Sequence, residues 1–342
     1  MTAILQVTVA RVGKDGSSVR RQAGHAVVPS LVMSTAIEAH DLTKRYGRTL
    51  AVDGLSFRVE AGRVTGFVGP NGAGKSTTMR LVLGLDASDQ GDVCIAGRRY
   101  RDLRSPLREV GALLDAGATH PGRRARSHLL WLARSNCLPS RRVDEVLDLV
   151  GLSDAARRRV GGFSLGMAQR LGIAAAMLGD PPVLLFDEPI NGLDPDGIRW
   201  IRTFLRELAA EGRAVLVSSH LMGELEGIAD ELVVIGRGRL ISQTSVGELL
   251  ASRSDGRVHV RTPQVTEVMT ALASAGGTVT STGADALVVT GLEPERIAEL
   301  VSEHGLRLDE LYRERASLED AFIDLTRDAV EYVAERPERR GS

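Results

Sequence analysis

Hydrophobic and polar residues follow two different patterns along the middle of the chain. From about residue 36 to 250, short apolar runs typical of strands alternate with longer amphipathic runs typical of helices. Between 125 and 180 this alternation stops, because three consecutive segments all have helical spacing. The pattern predicts an α/β body with a helical block inserted in it.

Several apolar runs of the body are short enough to be buried strands. They are RVTGFVG (63–69), VLLFDE (183–188), AVLVSS (214–219) and ELVVIG (231–236). The segment GKSTTMRLVLGL (74–85) follows a glycine-rich turn and predicts a helix.

A second pattern begins at about residue 256. Its order is strand, helix, strand, strand, helix, strand, which predicts a small ferredoxin-like α+β unit, and a further helix is expected from 318 onwards. The domain organisation that we predict is a tail at 1–34, an α/β domain at 35–252 with a helical subdomain at about 120–180, a C-terminal α+β domain at 255–330, and a tail at 331–342.

The first 33 residues have no clear period and include GKDGSS, so we expect a disordered tail. An alternative is that translation starts at Met33, directly before the first patterned segment, and the intact mass of the natural product would decide this. The N-terminus lacks a basic region before its apolar residues, and no apolar run reaches about 18 residues. We therefore predict a cytoplasmic protein that reaches a membrane only through a partner.

Composition narrows the function further. The chain has 342 residues, 43% of them hydrophobic, which suits about two domains. A net charge of −1 gives no overall attraction to nucleic acid or acidic lipid. The two cysteines, Cys94 and Cys137, indicate a reducing compartment without a disulfide framework or a cysteine-based zinc site.

The stretch GPNGAGKST (69–77), called the phosphate loop below, matches the pattern G-x-x-x-x-G-K-[ST] between a strand and a helix. Glycines let the backbone approach phosphate, and the helix N-terminus attracts the anion. Lys75 is expected on the β- and γ-phosphates of ATP and Ser76 on Mg²⁺. The alternative is a glycine-rich turn with a chance lysine. The predicted nucleotide contacts are Gly69, Pro70, Asn71, Gly72, Ala73, Gly74, Lys75, Ser76 and Thr77.

Two other strand ends carry polar side chains. Alone, VLLFDEP (183–189) would be a buried strand with surface acids; beside a phosphate loop, Asp187 is predicted to hold Mg²⁺ and Glu188 to act as general base. His220 ends the apolar strand VLVSSH, where a histidine is ordinarily structural. At the carboxyl edge of a parallel sheet it would face the ligand and contact the γ-phosphate or the water.

Three further stretches have a structural interpretation, and the second and third also have a functional one. INGLDP (190–195) is a turn by its Asn-Gly and Asp-Pro pairs. Tyr46 is either a surface tyrosine or a platform that stacks on adenine. In FSLGM (163–167), called the signature segment below, Ser164 is an N-cap, or it contacts phosphate together with Gly166, and both roles are compatible.

The order of these motifs resembles the ATP-binding cassette of ABC transporters, over about residues 36–250. The resemblance implies a P-loop ABC ATPase fold and a head-to-tail dimer of two copies. Each ATP would lie between the phosphate loop of one copy and the signature segment of the other. Ser164 and Gly166 would thus contact ATP held by the partner, and Asp194 would join the nucleotide contacts.

The chain departs from the common family pattern at two places. The signature usually reads Leu-Ser-Gly-Gly-Gln, and here Met167 stands in the last position, a variant that resembles exporters for drug and antibiotic resistance. The family places a glutamine at the end of the strand near 113, where this chain has Asp115. Either Asp115 is a weak Mg²⁺ ligand or the alignment shifts. His120 is interpreted as shaping the loop.

The resulting hypothesis is the ATP-hydrolysing subunit of an ABC exporter for a drug-like or other hydrophobic molecule. It requires a separate multi-span membrane permease, whose cytoplasmic loops would contact the helical block, and it places this chain on the inner face of the cell membrane. The alternative is a soluble ABC-type ATPase of translation or DNA repair. A single cassette, without sustained heptads or a basic patch, disfavours this alternative and predicts no nucleic-acid partner. The C-terminal domain is either a ligand sensor or, as we prefer, a dimer-stabilising or subunit-docking appendage.

Overall fold

The computed structural model describes residues 35–253, 256–313 and 318–326. The expected tails at 1–34 and 331–342, and the proposed start at Met33, lie outside these residues. Among the described residues, no helix is both long enough and apolar enough to cross a lipid bilayer.

The larger domain contains nine strands that form two sheets. In chain order they are β1 (Thr35–Tyr46), β2 (Thr49–Glu60), β3 (Val64–Val68), β4 (Gln90–Ile95), β5 (Val110–Leu113), β6 (Val183–Asp187), β7 (Ala214–Ser219), β8 (Glu231–Gly236) and β9 (Arg239–Ser245). An antiparallel sheet has the order β2-β1-β4, and a six-stranded sheet has the order β5-β6-β7-β3-β8-β9.

The six-stranded sheet positions the predicted motifs. All its neighbouring strands are parallel except β8 and β9. Strands β6, β7 and β3 are adjacent, and each is followed by one of the polar segments found in the sequence. Because parallel strands end at the same edge, these three segments meet at one edge of the sheet.

The helices of the larger domain follow the predicted alternation. They are α1 (Lys75–Val82), α2 (Pro106–Glu109), α3 (Ala125–Ser135), α4 (Arg141–Leu149), α5 (Leu165–Ala176), α6 (Pro195–Ala210), α7 (Met222–Leu225) and α8 (Val246–Arg253). Helices α3, α4 and α5 form the predicted helical block. Their apolar faces bury Leu129, Val143, Val146 and Leu171 in the same core as the sheet residues Leu184 and Phe186.

The C-terminal unit, residues 256–313, has the predicted ferredoxin-like order. It consists of β10 (Val258–Arg261), α9 (Val265–Ser274), β11 (Thr278–Ser281), β12 (Ala286–Thr290), α10 (Pro294–Glu303) and β13 (Glu310–Arg313). The sheet order is β11-β12-β10-β13, and every pair is antiparallel. The unit has its own core, in which Val258, Leu272 and Ile297 are fully buried.

The last described helix differs from the prediction. We expected α11 (Leu318–Thr326) within the C-terminal domain, but it contacts α7, α8 and β9 of the larger domain. Leu318 and Ala321 are buried in the larger domain's core with Met222 and Leu225. The apolar face of α11 therefore stabilises the larger domain, and the chain crosses back after β13.

Candidate nucleotide-binding site

The phosphate loop is confined between neighbouring backbones. It leaves the fully buried strand β3 and enters α1 at Lys75. A Cβ at Gly69 would lie 2.4 Å from the carbonyl oxygen of Ile235, and one at Gly74 would lie 2.5 Å from that of Ala51. Gly74 also has a φ of +103°. Both positions therefore require glycine for steric reasons, which fixes the path of the loop.

Lys75 is a buried cation at the centre of the site. Its side chain is 7% exposed, and its Nζ donates to the carbonyl oxygen of Gly69 at 2.6 Å. Oε1 of Glu188 lies 3.6 Å from the same nitrogen. Burial lowers the pKa of Lys75, and the carboxylate of Glu188 offsets part of that effect. The lysine and the predicted general base are thus direct neighbours.

Glu188 is held from several sides. Its Oε2 lies 2.8 Å from Nδ1 of His220 and accepts from Nδ2 of Asn191 at 3.3 Å. Its backbone N–H donates to Oγ of Ser218 at 2.9 Å, and its φ is +49°, which is unusual for a residue with a side chain. A strained backbone of this kind persists only where the surroundings determine it.

Ser218 connects the two predicted carboxylates. It lies directly beside Asp187 in the β6–β7 pair, and its hydroxyl donates to Oδ1 of Asp187 while accepting from Glu188. Sequence reasoning missed both Ser218 and Asn191. The signal for Ser218 was a pair of serines, Ser218 and Ser219, at the end of an apolar strand, and the side chain of Ser218 is fully buried.

The phosphate loop, Glu188, Asn191 and His220 line a cleft of about 410 Å³, whereas Asp187 and Ser218 are not among its lining residues. The lining residues are Thr49, Leu50, Ala51, Asn71, Gly72, Gly74, Lys75, Ser76, Thr77, Glu188, Asn191 and His220. Most of the predicted phosphate loop, the predicted base and the predicted histidine therefore meet in one place. Ser76, predicted as a Mg²⁺ ligand, is among them.

Two predicted Mg²⁺ ligands have oxygen groups of the right kind. Hydroxyl and carboxylate oxygens suit Mg²⁺, and Ser76, which lines the cleft, and Asp187, which precedes the lining residue Glu188, supply one of each. No group of three or more His, Cys, Asp or Glu residues that could hold a metal occurs among the described residues. Mg²⁺ usually binds one or two protein groups together with substrate phosphates.

Tyr46 lies near the cleft but does not line it. The residue is 46% exposed, and its backbone pairs with that of Thr49, a lining residue, across the β1–β2 turn. Its hydroxyl donates to Oδ2 of Asp86 at 2.6 Å. The hydrogen bonds from Arg80 and Tyr46 lower the pKa of Asp86 to about 2, and the bond to Asp86 raises the pKa of Tyr46. The tyrosine is therefore held in one orientation at the rim.

Ser164, Gly166 and Asp194 lie outside the cleft of their own chain. Ser164 is the N-cap of α5 and accepts from the N–H of Met167 at 3.3 Å. Asp194 caps α6 in the same way, accepting from Gly197 at 2.8 Å. A Cβ on Gly166 would lie 3.3 Å from Leu193, so this helix start packs closely on the segment after Glu188.

The unusual Asp115 forms a local turn. Its Oδ1 accepts from the N–H of Gly117 at 2.7 Å, the side chain is exposed, and it does not line the cleft. His120 accepts from the N–H of Gly122 at 3.1 Å, which agrees with the loop-shaping role expected of it.

Comparison with known proteins identifies the family. Residues 52–191 match the family described as ABC transporter. An uncharacterised ABC transporter ATP-binding protein of Bacillus subtilis (strain 168), YhcH, is 36% identical over 305 residues, which cover 88% of this chain and 99% of that protein. This chain belongs to the ABC transporter ATP-binding proteins. It is a transport ATPase with the predicted P-loop α/β fold.

Other relatives of this ABC ATPase have more informative names. The bacitracin transport ATP-binding protein BcrA of Bacillus licheniformis is 41% identical over 62% of this chain and 70% of its own length. The Nod factor export ATP-binding protein I of Burkholderia orbicola (strain AU 1054) is 35% identical over 86% and 98%. These relatives lend no support to the alternative in translation or DNA repair.

The fold also resembles a solved structure, and the C-terminal unit matches a separate family. A structure described as the ATP-binding subunit of an ABC transporter has 28% identity and a TM-score of 0.58, and covers 64% of this ABC ATPase and 93% of its own chain. Residues 256–319 match a domain of unknown function (DUF8746). The C-terminal unit therefore has a family but no assigned role.

Proposed function

We propose that this ABC ATPase binds and hydrolyses ATP between two copies of itself and thereby drives export through a separate multi-span membrane permease. One observation carries the proposal. Lys75, Glu188 and His220 converge in one cleft, whereas Ser164 and Gly166 of the same chain start a helix outside it. The site is complete only if a second copy supplies its signature segment to the cleft.

Within one copy, each cleft residue has a distinct role. The phosphate loop and the start of α1 present backbone N–H groups to the phosphates. Lys75, now paired with Glu188, would turn to the β- and γ-phosphates, so that nucleotide binding frees the carboxylate. Glu188 would then accept the proton of the attacking water as general base. His220, held on Oε2 of Glu188, would orient that carboxylate and contact the γ-phosphate.

Ser76 and Asp187 would hold Mg²⁺, which when bound neutralises charge on the phosphates. Ser218 keeps the Asp187 carboxylate in place by its hydrogen bond. Tyr46, oriented by Asp86, would stack on adenine at the rim of the cleft. Across the dimer, Ser164 and Gly166 at the start of α5 would contact the γ-phosphate, where a helix N-terminus stabilises negative charge. Asp194 would join this contact.

The membrane partner and the cargo are inferred from the relatives. Their names include transport of bacitracin and export of Nod factor, so we propose an antibiotic-like or other hydrophobic molecule as cargo. The permease would be a separate chain that holds this subunit on the inner face of the cell membrane. The helical block α3–α5 would contact its cytoplasmic loops.

The two-copy site is tested by Glu188→Gln, which keeps the size of the side chain but removes the base. The variant should bind ATP with Mg²⁺, hydrolyse it at least about a hundredfold more slowly, consistent with loss of a general base, and sediment as a dimer only with ATP. Glu211→Gln changes an exposed glutamate at the end of α6 and is the matched control. Hydrolysis at the wild-type rate, or a monomer with ATP bound, would contradict the proposal.

A further inference from the structure

A buried amide connects the signature helix to Glu188. Gln169 lies on α5, is 5% exposed, and donates from Nε2 to the backbone carbonyl oxygen of Glu188 at 3.2 Å. Its Oε1 is buried and accepts no hydrogen bond from any described residue. A buried unpaired acceptor is unfavourable, and an apolar side chain of similar length would fill the same space without it. The amide is therefore explained by its bond to Glu188 rather than by packing.

The bond matters because the backbone of Glu188 is strained. With a φ of +49°, the residue needs support from its surroundings. Ser218 accepts from its N–H and Gln169 donates to its carbonyl oxygen, so the peptide groups on both sides are fixed. The direction of the Glu188 side chain follows from this backbone conformation. Loss of either bond would let the carboxylate leave its position without removing it from the chain.

The same helix also contacts the segment after Glu188. A Cβ on Gly192 would lie 2.0 Å from Cδ2 of Leu165, because the Leu165 side chain packs directly against the Gly192 backbone. Gly166 contacts Leu193 in a similar way. The first turns of α5 are therefore joined to residues 188–193 at three points.

We propose that Gln169 is a positioning residue, which holds the backbone of the general base Glu188 against the helix of its own chain's signature segment. The inference rests on the proposed two-copy site. There, the start of α5 in one copy contacts the ATP of its partner, whereas Glu188 of that same copy acts on its own ATP. Gln169 should thus affect hydrolysis only at the site whose Glu188 comes from the same chain.

The test uses two variants that restore each other. Lys75→Ala disables the phosphate loop of its own chain, and Ser164→Arg disables the signature segment of its own chain. A mixture of the two forms one complete site, with the phosphate loop and Glu188 from the Ser164→Arg chain and the signature segment from the Lys75→Ala chain. Gln169→Met is then placed on one chain or on the other.

Positioning of Glu188 by Gln169 predicts an effect that depends on this placement. On the Ser164→Arg chain, which supplies the working Glu188, kcat should fall about fivefold, the value of one neutral hydrogen bond. The ATP concentration for half-maximal rate should change by less than about twofold, because the phosphate loop itself is not altered. On the Lys75→Ala chain the loss of kcat should be several times smaller.

The controls separate the possible failures. Gln243→Met removes an exposed amide that donates to the carbonyl oxygen of Arg58 at 2.9 Å, and it should leave the rate unchanged. Thermal unfolding shows whether Gln169→Met is folded, and Gln169→Leu, which also lacks the amide donor, asks the same question if it is not. The inference about Gln169, but not the two-copy site, would be overturned by any of three results: equal losses in both placements, a larger loss on the Lys75→Ala chain, or no loss. An inactive Lys75→Ala and Ser164→Arg mixture beside active wild type would overturn the two-copy site itself.

Discussion

Gly74→Ala tests the steric account of the phosphate loop. At φ +103° an alanine costs about 1–2 kcal/mol for left-handed backbone. Its Cβ would also meet the carbonyl oxygen of Ala51 at 2.5 Å, and the required backbone shift adds about 1–3 kcal/mol. The expected loss in free energy of unfolding is therefore about 2–5 kcal/mol, reduced by the lower entropy of the unfolded alanine chain.

Gly212→Ala is the matched control. Gly212 has a φ of +92°, but no atom lies within 4 Å of the added Cβ. The backbone strain and the unfolded-state entropy are then alike in the two variants, and their difference measures the clash alone. Urea unfolding should show Gly74→Ala to be less stable than Gly212→Ala by about 1–3 kcal/mol.

The same pair of variants should separate in nucleotide binding. The loop must move away from Ala51 in Gly74→Ala, which displaces the backbone N–H groups at the start of α1. If the displaced N–H groups contribute about 1.4 kcal/mol less to the free energy of ATP binding, titration calorimetry should show a Kd about tenfold higher. If Gly74→Ala were as stable as Gly212→Ala and bound ATP as tightly as wild type, the confinement of this loop would be refuted.

Three further predictions follow from other parts of the chain. Ser164→Arg should abolish hydrolysis but leave ATP binding by the monomer intact in a titration, since its defect lies in the partner's site; lost monomer binding would contradict this. The pKa of Asp86 is lowered to about 2. Its ionised carboxylate therefore stabilises the fold above about pH 4, and this stabilisation is lost as the pH falls towards 2. Asp86→Asn should accordingly show a smaller fall in the free energy of unfolding over that range. Leu318→Ala should cost about 2–5 kcal/mol in urea unfolding because this side chain is fully buried in the larger domain's core, whereas Leu85→Ala, at an exposed position, should cost far less; equal costs would refute the packing of α11.

Residues that act as contiguous motifs were predictable from the sequence. The phosphate loop and the Asp187–Glu188 pair are read from neighbouring residues, and their meeting follows from the rule that parallel strands end at one edge. The ferredoxin-like order of residues 256–313 was equally local, because each strand and helix has its own period.

Contacts that depend on register and on long-range packing were not predictable. Ser218 reaches Asp187 only because the β6–β7 register places the two side by side, and no local pattern specifies that register. Gln169 was visible as a polar residue in an apolar helix, but its bond to Glu188 depends on how α5 packs on the sheet. The period of α11 shows that it has an apolar face. It does not show whether that face packs on the C-terminal unit or on the larger domain.

The measurement that tests the central claim most directly is purification of the tagged chain, with Glu188→Gln and ATP, from detergent-solubilised membranes of its own cells. We expect a multi-span membrane protein to copurify in stoichiometric amount, and the purified complex with wild-type Glu188 to hydrolyse ATP faster when a hydrophobic antibiotic is added. Recovery of the chain free of any membrane protein, together with ribosomes or DNA-bound proteins, would contradict the assignment to an exporter.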